Sequence, residues 1–168
     1  MKIFLVGFMG SGKSYWGSRW AERYQLSFAD LDTLIGEREN KTIAEIFGQR
    51  GEAYFREAET ACLRSFPTDA SFIMACGGGA PCFNDNMKWM NERGTTVYLA
   101  ASPQLIYDRV IGEIDKRPLL KHTDASSLLS FIEQKLKERE PFYKQAKCIL
   151  PVDALNDESL SILTTLHS

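Results

Sequence analysis

Gly7-Phe8-Met9-Gly10-Ser11-Gly12-Lys13-Ser14 sets a lysine and a serine behind a glycine frame, directly after the apolar run Ile3-Phe4-Leu5-Val6. Gly, four residues, then Gly-Lys-Ser is the spacing of a phosphate-binding P-loop. Glycines let the chain take positive φ, so that successive backbone N–H groups face an oligophosphate without side chains in the way. Lys13 adds a mobile cation for the β- and γ-phosphates. Ser14 offers a hydroxyl to Mg²⁺, and the helix that begins here points its positive dipole end at the same anion. The strand-like run before the motif and Trp16, Trp20 and Tyr24 after it supply the strand–loop–helix context that the chemistry requires.

Three further groups could do chemistry. Asp30 and Asp32 follow the short apolar stretch 27–29, and in open α/β sheets ligands gather outside the carboxyl ends of the strands. Two ordinary carboxylates, with Asp32 as a helix N-cap, fit that spacing equally. Arg56 and Glu59 stand three apart on a helix, the spacing of a surface ion pair. Gly77-Gly78-Gly79, between a strand and a proline, implies a backbone that something approaches closely, with a flexible turn as the plainer reading.

The elements that must position these residues read as alternating strands and helices. Strands are expected at 2–6, 27–29, 71–75, 96–100 and 148–152. Helices are expected at 14–23, 33–38, 43–48, 52–64, 84–92, 102–114, 126–140 and 157–166. Thr42-Ile43-Ala44-Glu45 has the capping-box spacing, Gly51 resets the chain, Ser126 is the expected cap of the 126–140 helix, and Pro141 should break or bend it before Phe142 and Tyr143. Residues 115–123 carry Lys116, Arg117, Lys121 and His122 around one proline with no apolar periodicity, and read as a mobile loop. Continuous apolar strands between amphipathic helices indicate a parallel sheet covered on both faces, in one domain over 1–168.

A chain of 168 residues is long enough for a core without staples. A net charge of −2 gives no electrostatic footprint for nucleic acid, so small soluble substrates are expected. The four cysteines form no CxxC pair and read as reduced, partly buried thiols. No leader-like segment opens the chain and nowhere do 18 apolar residues run together, so a cytoplasmic location without membrane association is expected.

Gly7-x-x-Gly10-x-Gly12-Lys13-Ser14, Asp30-x-Asp32, Phe55-Arg56, Gly77-Gly78-Gly79, Arg117-Pro118-Leu119-Leu120 and Arg139-x-x-x-Tyr143 together resemble the shikimate kinases in order and approximate spacing, from residue 3 to about 153. The resemblance implies an α/β P-loop kinase fold of the nucleoside-monophosphate-kinase type. Its five-stranded parallel sheet would have the order 2-3-1-4-5, with a lid at about 115–124. It implies transfer of the ATP γ-phosphate to the 3-hydroxyl of shikimate, on the chorismate route to aromatic amino acids, by a monomer using Mg²⁺.

By the same resemblance Asp32, Lys13 and Arg117 are catalytic. Gly10, Ser11, Gly12, Lys13, Ser14, Tyr15, Arg109 and Arg117 contact ATP, with Arg109 near the adenine and Arg117 brought onto the phosphates by the lid. Asp32, Arg56, Glu59, Gly77, Gly78, Gly79 and Arg139 hold shikimate, whose carboxylate a planar guanidinium can pair through two parallel hydrogen bonds. Ser14 binds Mg²⁺ directly and Asp30 through water.

Three positions depart from the family pattern. Tyr15 stands where many members have a second Ser or Thr, and Cys76 puts a thiol before the glycine triplet, a possible target of inhibitory alkylation. Residues 153–156 lack the arginine and proline that some members place against adenine, so no base-binding residue is assigned there. Another small-molecule P-loop kinase, such as a gluconate kinase, would also use arginines for a carboxylate. A non-catalytic nucleotide-binding module would keep the P-loop alone. Asp-x-Asp, the glycine triplet, Arg-Pro-Leu-Leu and Arg139 occurring together favour the shikimate reading over both.

Overall fold

The computed structural model describes residues 1–67, 69–116, 120, 124 and 126–161, with side chains at all of these except 114–116. Five strands, β1 (Lys2–Val6), β2 (Ser27–Asp30), β3 (Phe72–Ala75), β4 (Thr95–Ala100) and β5 (Cys148–Pro151), pair in parallel in the order β2-β3-β1-β4-β5. This is the order expected from the family resemblance. β1 is the central strand, and its side chains divide between two cores because successive residues of a strand face opposite ways. Ile3 and Leu5 pack with Trp20, Ile73, Val97 and Leu99 on one face. Phe4 and Val6 join Phe72, Met74, Tyr98 and Tyr143 on the other. All four β1 side chains are almost fully buried, each contributing on the order of 1.5–3 kcal/mol, which is why the run is continuously apolar.

Six helices are described: α1 (Lys13–Arg23), α2 (Leu31–Glu39), α3 (Ile43–Ser65), α4 (Asn86–Arg93), α5 (Pro103–Val110) and α6 (Leu128–Tyr143). The capping box forms as its spacing predicts, with Glu45 N donating to Thr42 Oγ1 at 3.2 Å and Thr42 N donating to Glu45 Oε2 at 2.7 Å. The expected helices at 43–48 and 52–64 both form within the span Ile43–Ser65 and are separated by a kink at Gly51, whose φ of 81° and ψ of 172° are not helical.

Other boundaries differ for identifiable reasons. Asp30, not Asp32, caps α2: its Oδ1 accepts from Asp32 N and Thr33 N. Asp124 Oδ1 organises the turn before α6 by accepting from Ser127 N and from the hydroxyls of Ser126 and Ser127, so the expected cap Ser126 is only a donor there. Pro141 lies inside α6, which continues unbroken to Tyr143, because only one donor is lost, in the last turn. A 3₁₀ turn, Ala80–Cys82, precedes α4, and another, Ile111–Lys116, follows α5. Of the helix expected at 157–166, residues 157–160 form turns and 162–168 lie outside the described residues. Most of the lid expected at about 115–124, Arg117 included, lies outside them as well. No described helix is long and apolar enough to cross a membrane.

Candidate functional site

The site lies where the strands end at their carboxyl edge. The loop leaving β1 has Gly7 at φ 145°, Gly10 at 76° and Gly12 at 90°, conformations that L side chains rarely adopt. Lys13 Nζ donates to the carbonyls of Gly7 and Phe8, both at 2.9 Å, which holds the ammonium within the loop. Ser11 serves the loop's shape: its amide donates to Phe8 O at 3.2 Å, and its buried hydroxyl lies under Gly7. Ser14 Oγ donates to Asp30 Oδ2, so a hydroxyl and a carboxylate oxygen, the hard donors that Mg²⁺ prefers, meet at the mouth of the loop. Arg109, from the last turn of α5, donates to Gly10 O at 2.9 Å. Tyr15 is 62% exposed with its ring edge-on to Trp16.

β3 delivers the glycine triplet to the other side of the cleft. None of the three has positive φ; the requirement is room. A Cβ on Gly77 would lie 2.7 Å from Glu59 Oε1 and 3.1 Å from Asp32 Oδ1. One on Gly78 would lie 3.3 Å from both Arg139 Nη1 and Met9 N, and one on Gly79 within 2.4 Å of the Arg56 guanidinium. The expected close approach is therefore real, and it is made by four of the expected acceptor-site residues.

Arg56 and Glu59 form a buried pair rather than the surface pair their spacing suggests. Arg56 Nη1 donates to Glu59 Oε2 at 3.0 Å, while its Nε and Nη2 donate to Glu52 Oε1 at 3.3 and 3.1 Å. Its Cζ sits 4.5 Å over the Phe83 ring. Glu59 is wholly inaccessible and its Oε1 has no hydrogen-bond partner among the described residues. Burial pushes its carboxyl from the ordinary 4.5 to about 7, against the pull of the neighbouring Arg56. Arg139 is also buried, 5.6 Å over the Phe8 ring, and has no carboxylate in ion-pair reach among the described residues.

A cavity of about 360 Å³ joins the two halves. Gly10, Gly12, Lys13, Ser14, Asp30, Asp32, Gly77, Gly78 and Arg109 line it, with Met9 and Glu113. Arg56, Glu59, Gly79 and Arg139 stand directly behind this wall through the contacts above, whereas Ser11 and Tyr15 are not on it. Cys76 lines the cavity, but its thiol is turned into the core against Met90 Sδ at 3.6 Å, and burial raises its ionisation well above the ordinary thiol range. The expected alkylation target is therefore a buried, inert thiol.

Three residues of the site have no assigned role in the sequence reading. Glu52 precedes Arg56 by four residues, a helical spacing that would have paired them. Tyr143, present in the sequence motif with Arg139 but without a role there, has a hydroxyl that donates to Gly78 O at 2.5 Å. Phe83 gives no local signal. It reaches Arg56 because the chain after the triplet is tied to α3, where Thr60 Oγ1 accepts from Asn84 Nδ2 and Asn86 Nδ2 at 2.9 and 3.0 Å.

The arrangement can seat an oligophosphate in the loop and an acidic, hydroxylated molecule against the arginines, with Asp32 between them. The family model for shikimate kinase matches residues 9–165. A shikimate kinase from Bacteroides fragilis is 43% identical over 159 residues, covering 95% of this chain and 89% of the relative. The crystal structure of a shikimate kinase from Bacteroides thetaiotaomicron superposes with a TM-score of 0.89 at 40% identity, covering 99% and 98% of the two chains. That of a shikimate kinase from Acinetobacter baumannii in complex with shikimate gives 0.86 at 31% identity, covering 99% and 92%. On the extent of the family match and the identity to these relatives, the chain belongs to the shikimate kinase family.

Proposed function

We propose that this protein transfers the γ-phosphoryl group of ATP to the 3-hydroxyl of shikimate, as a cytoplasmic monomer of one domain that uses Mg²⁺. The observation that carries the reading is Arg139, a buried guanidinium with no ion-pair partner among the described residues, close behind Gly78, which lines the same cavity as the P-loop. A guanidinium so buried is costly unless an anion meets it, and a carboxylate suits its planar fork.

In this reading Arg139 and Arg56 clasp the shikimate carboxylate, and Asp32 with the backbone of the triplet orients the ring hydroxyls. Glu59 and Glu52 hold Arg56 through Nη1 and through Nε and Nη2, which uses three of its five N–H groups and leaves two for the ligand. The acceptor oxygen attacks the γ-phosphorus, the bond from that phosphorus to the bridging oxygen of ADP breaks, and the hydroxyl proton passes to Asp32 late in transfer. Lys13 and the loop amides hold the β- and γ-phosphates. Arg109 lies on the nucleotide side, and Arg117 adds positive charge to the group in flight. Ser14 and Asp30 are suited to hold Mg²⁺, which would neutralise phosphate charge.

Release of ADP, followed with shikimate, quinate, gluconate or no acceptor, tests the assignment. Turnover with shikimate at least about 10²-fold above the other arms is expected, since a site built to hydrogen-bond its substrate strongly rejects analogues that leave those groups unpaired. Preference for gluconate would overturn the substrate, and equal rates in all arms would overturn the acceptor site.

A further inference from the structure

We infer that Tyr143 is a positioning residue of the acceptor site, acting through the backbone of the glycine triplet. Its ring is wholly buried against Tyr98 at 5.1 Å, yet its hydroxyl does not serve the core: it donates to Gly78 O at 2.5 Å. Burial holds that hydroxyl in its protonated, donating form far above neutral pH. The peptide unit joining Gly78 to Gly79 is planar and trans, so fixing the carbonyl at one side fixes the direction of the Gly79 N–H at the other. Among the described residues no group accepts from the amides of Gly77, Gly78 or Gly79, whereas the carbonyls of Gly77 and Gly79 are engaged by Ala80 N and Cys82 N. The triplet thus has its acceptors tied down and its donors available, and Tyr143 completes that asymmetry at the middle residue.

The same hydrogen bond has a second geometric effect. Tyr143 lies one helical turn after Arg139 on α6, and Arg139 Nη1 approaches Gly78 closely. Gly78 also lies against Met9 N of the P-loop. Helix α6, the triplet and the nucleotide loop therefore meet at one residue, and the Tyr143 hydroxyl sets its orientation. Without it, the Gly78 carbonyl is left buried and unpaired or swings toward the cavity, which turns the Gly79 N–H away from an acceptor.

The inference rests on the acceptor assignment above, and its test separates the two. Tyr143→Phe removes one oxygen and keeps the ring; Tyr98→Phe, a control at a neighbouring buried ring, removes a hydroxyl that does not reach the triplet. Steady-state kinetics with shikimate and with ATP, and thermal unfolding, are measured for both variants and the wild type. In Tyr143→Phe, KM for shikimate should rise about five- to tenfold, the scale of one neutral hydrogen bond, with KM for ATP within about twofold. Tyr98→Phe should leave both constants unchanged. Wild-type KM for shikimate in Tyr143→Phe, whatever its melting temperature, would reduce Tyr143 to a core residue. An equal shift in Tyr98→Phe would mean that general loosening of the core is responsible. A wild-type enzyme without activity on shikimate would instead refute the substrate assignment.

Discussion

Arg56→Lys keeps the charge and removes the geometry. Arg56 uses three separate N–H donors, one on Glu59 at 3.0 Å and two on Glu52 at 3.1 and 3.3 Å, and lays its planar face 4.5 Å over Phe83. A lysine ammonium is one compact centre, so it can occupy the Glu59 end or the Glu52 end but not span both, and it has no flat edge to offer a carboxylate. Losing one charge-assisted hydrogen bond to the ligand costs roughly 1.5–3 kcal/mol, or about 10- to 100-fold in shikimate affinity. The P-loop donors are untouched, so ATP affinity should move by less than about twofold. Some stability is lost too, because Glu59 keeps only part of its partner; at about 1–3 kcal/mol for a buried group, a fall of several degrees in Tm is expected. Calorimetric titration with each ligand, beside thermal unfolding, measures all three quantities. Shikimate affinity within twofold of wild type would remove Arg56 from the acceptor site, and equal losses for both ligands would mean that the substitution damages the fold.

Three other perturbations separate the parts of the site. Glu59 has a carboxyl raised toward about 7, so its neutral form is favoured by folding; the stability this confers is fully present below the ordinary value of 4.5 and is lost as pH rises toward 7. The Tm of Glu59→Gln relative to wild type should therefore climb between about pH 4.5 and pH 7, and parallel Tm profiles would show that the carboxyl titrates normally. Lys13→Ala removes an ammonium that bonds two loop carbonyls and should abolish turnover while circular dichroism stays native; steady-state activity near wild type would remove the P-loop from the mechanism. Arg117→Ala should lose at least about 10²-fold in kcat with a smaller change in shikimate affinity, as for other arginines that meet a transferring phosphoryl group, and a near-normal kcat would make Arg117 a surface charge.

The fold was legible wherever apolar runs and glycine spacing carry local physics. The buried strand Ile3–Val6, the P-loop behind it and the capping box at Thr42 and Glu45 emerge as expected, while the strand order, also as expected, comes from the family resemblance rather than from local spacing. What misled were features decided by tertiary neighbours. Pro141 is tolerated because it falls in a last turn, and Asp30 outcompetes Asp32 as a cap because its oxygens face both the P-loop serine and the helix amides. The Arg56–Glu59 spacing could not reveal burial, which depends on the triplet being free of side chains beside it. Phe83 reaches Arg56 only through the Asn84, Asn86 and Thr60 network, a contact between residues distant in sequence. Cys76 gave the wrong impression for a related reason: adjacency to the triplet in sequence says nothing of which way the thiol turns.

The central claim is that one cleft seats a carboxylate between Arg56 and Arg139 and a nucleotide in the P-loop. A crystal structure with shikimate, ADP and Mg²⁺ measures it most directly. The account predicts shikimate carboxylate oxygens within about 3.2 Å of nitrogens of both guanidinium groups, the Gly79 amide donating to the ligand, and the 3-hydroxyl beside Asp32 facing the β-phosphate. A shikimate bound with its carboxylate away from Arg56 and Arg139, or with its 3-hydroxyl turned from the P-loop, would contradict it.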